Sequence, residues 1–139
     1  MRLDQLSQAR AGEISVTWRS FLLRTEPKTT DRDEFAAYTQ SWLRPAEMEP
    51  AAHFRTWDDS SDEPPASSLP AQVTAKAVER IAPEASRQLH WALLEAYFTQ
   101  NRDISNWDVL REVATAAGAP APAYDELLAE AGNEKNAKA

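Results

Sequence analysis

The chain has 139 residues, enough for one domain with a single core, and 42% of them are hydrophobic. A formal charge of −7 argues against a phosphate-backbone ligand, which needs a concentrated basic surface. The absence of cysteine excludes a disulfide framework, a thiolate nucleophile and a cysteine-based zinc site. No apolar run approaches the ~20 residues that span a bilayer. The opening MRLDQLSQARAGE lacks the apolar stretch of a secretory leader, so the expectation is a cytoplasmic protein.

In chain order, Leu3, Leu6 and Ala9 followed by Gly12 predict a helix stopped by glycine. Residues 13–23, EISVTWRSFLL, alternate Ile14, Val16 and Trp18 with Ser15, Thr17 and Arg19. That is the period of a half-buried strand, yet no second segment of the chain offers it a partner. After the turn-like Thr25–Lys28, Asp31 with Glu34 three residues on predicts a capped helix start. Phe35, Tyr38, Trp42 and Leu43 share its face, and Pro45 is the expected stop.

A short helix is expected within 46–57, with Met48, Ala52 and His53 or Phe54 inward. DDSSDEPPASS (58–68) is a loop by composition, without the ligand spacing or turn glycine of a calcium site. Pro70 opens a helix to about Ile81 with Val73, Ala77 and Ile81 as its stripe and Val78 beside it. Pro83 opens the next, where Leu89, Leu93 and Ala96 form a seam that Trp91, Leu94 and Phe98 broaden. Apolar over much of its girth, this helix is expected at the centre of the domain. Ser105 with Asp108 predicts a further helix start, Val109, Leu110, Val113, Ala114 and Ala117 its buried face, and Gly118 its stop. Ala119-Pro120-Ala121-Pro122 reads as a stiff spacer before one last short helix carrying Tyr124, Leu127 and Leu128, and the tail AGNEKNAKA as frayed.

Five tryptophans are explained either as core side chains or as the lining of an aromatic groove. His53 and His90 lack metal-ligand spacing, no nucleophile elbow occurs, and three isolated glycines do not make a phosphate loop. His90, next to Trp91, is read as a structural histidine, Glu84 and Glu95 as surface charges, and Arg87 as a neighbour of the exposed side of Trp91. No catalytic, cofactor-binding or metal-ligating residue is assigned.

Three stretches carry a family resemblance. Leu93-Leu94-Glu95-Ala96-Tyr97-Phe98, Asn101-Arg102-Asp103-Ile104-Ser105, Val109-Leu110 and Ala114-Thr115-Ala116-Ala117-Gly118 resemble a helical run of the DsbA-like thioredoxin-fold family. The likeness is to its FrnE-like and 2-hydroxychromene-2-carboxylate isomerase-like branch. Upstream, Val16-Thr17-Trp18-Arg19-Ser20-Phe21-Leu22-Leu23 resembles that family's V-x-W-R-P-F-x-L strand, with Ser20 in place of proline, and Ala75-Lys76-Ala77 resembles its A-x-K-A helix.

The resemblance implies a mainly α chain, the helical insertion domain of a thioredoxin fold with one remnant strand at 13–23. It divides the chain into a thioredoxin-like remnant (1–29), a helical domain (30–118) and a short helix with a polar tail (119–139). It also implies a thiol-disulfide oxidoreductase or glutathione-dependent isomerase ancestry. The family's C-x-x-C, its alternative serine and its cis-proline strand have no counterpart here, so the expectation is a truncated, inactive relative without cofactor. The alternative is a helical interaction module that self-associates or binds a protein through 13–23, with no nucleic-acid, membrane or metal partner.

Overall fold

A computed structural model describes residues 2–23 and 26–137; the side chains of Asp4 and of residues 131–137 lie outside that description. The described residues are mainly helical: α1 Arg2–Ala9, α2 Arg32–Thr39, α3 Leu43–Met48, α4 Leu69–Ile81, α5 Pro83–Phe98, α6 Trp107–Ala116 and α7 Ala121–Ala137. Among the described helices, none is long and apolar enough to cross a membrane.

The core is the packing of α4 on α5, with α6 and α7 closing around them. Ala82 alone separates α4 from α5, so the two helices are neighbours from the start. Val78, Leu89, Leu110, Ala114 and Tyr124 are fully shielded. Around them Ala75, Ala77, Ala85, Ala96 and Ala117 let the helix backbones approach closely. The seam of α4 differs from the predicted stripe. Ala71, Thr74, Ala75 and Val78 are buried along with Ala77, whereas Val73 and Ile81 are only half-buried. A threonine is tolerated inside because its hydroxyl pairs with that of Tyr124 at 2.7 Å.

Several helix ends follow the sequence signals and others correct them. Asp31 caps α2 by accepting from the N–H groups of Asp33 and Glu34. Pro45 does not end that helix. The chain tightens to a 3₁₀ turn over Gln40–Trp42 and then continues as α3, where Pro45 is third in the helix and has no helical acceptor to forfeit. Met48 is exposed rather than inward, and His53 is exposed in the left-handed region with φ of 51°.

Asn106, not Ser105, caps α6; Ser105 bonds the Asp103 carboxylate instead. Gly118, φ +103°, completes a Schellman stop: its N–H reaches the Thr115 carbonyl and the Ala119 N–H reaches that of Ala114, both at 3.0 Å. Of the expected spacer, only Ala119 and Pro120 lie outside a helix. Pro122 lies in the first turn of α7, where its fixed φ suits a helix, and the helix runs on to Ala137 through the tail expected to fray. Part of the predicted turn, Thr25, and the last two residues lie outside the described range.

The segment 13–23 corrects the strand prediction. It follows a turn in which Gly12 takes φ of 89° and continues without regular secondary structure; among the described residues it joins no ladder, and a lone bridge links Ala11 and Ile14. The expected alternation does not hold: Ile14, Trp18 and Leu22 are half-buried at every fourth position, while Val16, expected inward, is exposed together with Ser15, Thr17, Arg19, Phe21 and Leu23.

Candidate interaction surface

Two surfaces meet on the outer side of α5. The first is the seat of the segment 13–23. Trp18 lies flat on His90, ring centroids 4.4 Å apart and planes 17° from parallel, and meets Trp91 edge-on at 6.3 Å. The Gln72 amide donates to the Phe21 carbonyl at 2.7 Å, a second anchor from α4. Burial holds the His90 imidazole below its ordinary pKa; Glu79 pulls it upward and Lys76 presses it down. Neutral His90 thus offers Trp18 a stacking platform without the cost of a buried charge.

Beyond these anchors the segment exposes large apolar groups. Phe21 is 78% and Leu23 81% exposed. A strand with apolar side chains on both faces matches one covered from both sides, rather than the half-solvated edge of a small sheet. Among the described residues no strand pairs with this stretch, and the exposed side chains beside Phe21 and Leu23 include the polar Ser15, Thr17 and Arg19.

The second surface is a groove of about 550 Å³ between α5 and the turn after α3. Trp91, Leu94 and Phe98 stand at i, i+3 and i+7 on α5 and form its floor, with Ala51–Phe54 as the facing wall. Its rim carries Glu95 and an ion pair between Arg2 of α1 and Glu49.

Behind the groove lies a second aromatic core. Trp42 packs on Phe98 at 4.8 Å and Tyr97 at 5.4 Å, and Phe35 meets Trp57 at 5.2 Å. The tryptophans thus divide between the two readings of the sequence. Trp42 and Trp57 are buried, Trp18 and Trp91 line the surfaces just described, and Trp107 is exposed.

The loop 58–68 is held more firmly than its composition suggests. Arg32 donates to the carbonyls of Ser60, Ser61 and Asp62 and pairs with Glu63. Ser60 donates to the Asn101 carbonyl at 2.7 Å, and Asp62 accepts from the Asp103 N–H at 2.9 Å. Asn101, buried in the left-handed region at φ of 52°, ties this loop to the Arg55 carbonyl. An asparagine following a helix is the one sequence signal that could have marked it.

The residues singled out in the sequence do not converge. His53 lines the groove and His90 the segment's seat, Glu95 sits on the groove rim, and Arg87 shares a shallow cleft with Trp18 and Trp91. Among the described residues no three His, Asp or Glu side chains gather in a metal-holding group. Comparison of the chain with protein-family models, curated proteins and solved structures finds no match.

Proposed function

We propose that the chain is a helical protein-interaction module of DsbA-like descent that works by strand pairing along 15–22 rather than by catalysis. The observation that carries this reading is the non-helical segment itself. It is anchored through Trp18, the Phe21 carbonyl and the half-buried Ile14, joins no ladder among the described residues, and leaves the Phe21 and Leu23 side chains exposed. The order and spacing of the family-like motifs at 16–23, 75–77 and 93–118 support the descent.

The partner best suited to such a segment is a second copy. Two identical strands related by a two-fold axis pair antiparallel and present the same patch to each other. The stretch 15–22 holds a single charge, Arg19, in a chain of net −7, so pairing brings together segments free of acidic residues from two acidic molecules.

Amide hydrogen exchange tests this. Protection of Ser15–Leu22 should rise with protein concentration while the α4 and α5 amides stay constant; concentration-independent fast exchange would contradict it. In an insulin-reduction assay with dithiothreitol as the reductant, the chain is expected to add nothing to the rate of the thiol alone, and a measurable acceleration would sink the non-catalytic reading.

A further inference from the structure

We propose that the groove on α5 binds a small organic ammonium ion with an apolar body. Its volume, about 550 Å³, falls in the range of small-molecule sites. Trp91, Phe54 and Phe98 supply aromatic faces, and Leu94, 40% exposed, completes an apolar floor. Aromatic faces attract a cation through their quadrupole, and a carboxylate at the rim fixes its position.

The charge of the rim supplies the specificity. Glu95 has no cationic partner among the described residues, and it projects from the same helix face as Trp91 and Phe98. Glu49, the second carboxylate, is met by Arg2, the chain's own cation seated at the mouth of the groove. Arg2 is highly exposed, and an exposed pair of this kind is weak enough to yield to a competing cation. The net charge of −7 raises the local concentration of cations and disfavours anions.

Calorimetric titration with three probes of similar shape tests the site: phenethylammonium, phenethyl alcohol and hydrocinnamate. The ammonium ion is expected to bind most tightly and the carboxylate least. Glu95→Gln should weaken the ammonium ion by about fivefold, the size expected of one partly exposed ion pair, and leave the alcohol unchanged. Arg2→Gln should leave ammonium binding equal or tighter, because it frees Glu49. Both positions are exposed, so circular dichroism of the variants is expected to match the parent. Equal affinity for ammonium and alcohol would overturn the proposal and make the groove a generic apolar face. Ammonium binding undiminished in Glu95→Gln would overturn it too, as diffuse attraction to an acidic chain. Weaker binding in Arg2→Gln would likewise contradict it.

Discussion

Tyr124 and His90 show how single side chains set the terms of this fold. Tyr124 is fully shielded, and among the described residues its hydroxyl pairs with that of Thr74 on α4, 2.7 Å away. Burial drives its pKa upward, which keeps the phenol neutral and able to share that hydrogen bond. Tyr124→Phe removes one partner and leaves the Thr74 hydroxyl buried alone. The expected cost is ~1–3 kcal/mol in urea unfolding, the price of an unsatisfied buried group. His90 acts through its charge state. Its folded-state pKa is lowered by burial, so its contribution is fully present above the ordinary imidazole pKa and is lost as pH falls through the lowered value. Melting temperature should therefore drop as pH falls below the ordinary imidazole pKa of about 6.5, and His90→Gln should flatten that drop. Sequence adjacency to Trp91 identified His90 as structural; its stacking partner, Trp18, lies 72 positions upstream and leaves no local trace.

At the scale of elements, the sequence was most readable where local chemistry decides and least where packing does. The cap at Asp31 and the stop at Gly118 depend on the residue's own hydrogen bonds and φ, so their signals hold in the structure. Pro45 and Pro122 were misread as breakers because a proline's meaning depends on where a helix begins, and neighbours decide that. The same limit applies to α4. Its true seam includes Thr74, whose partner on α7 no periodicity can announce. On α5 the pattern located the centre correctly: Leu89 is fully shielded between α4 and α6. Leu89→Ala should cost ~2–5 kcal/mol of stability by denaturant titration, because the alanine-rich surroundings have few flexible side chains to fill the space. A loss below ~0.5 kcal/mol, the surface range, would mean the core lies elsewhere.

For the whole molecule, the helices form the framework and the segment 13–23 is the feature that framework displays. The period-2 pattern of 13–23 was legible; what the sequence could not give was its seat on His90 and Gln72. A chain of net −7 repels its own kind at long range, so association through this segment should strengthen as salt screens that repulsion. Size-exclusion chromatography with light scattering, run on the parent and on Thr17→Pro across a concentration series, tests the central claim most directly. Thr17 is exposed, and proline there removes a strand donor without touching the helices. The account predicts a dimer mass for the parent that grows with concentration and salt, and a monomer for Thr17→Pro with unchanged helical circular dichroism. A parent that stays monomeric throughout, or a variant that dimerises equally well, would contradict it.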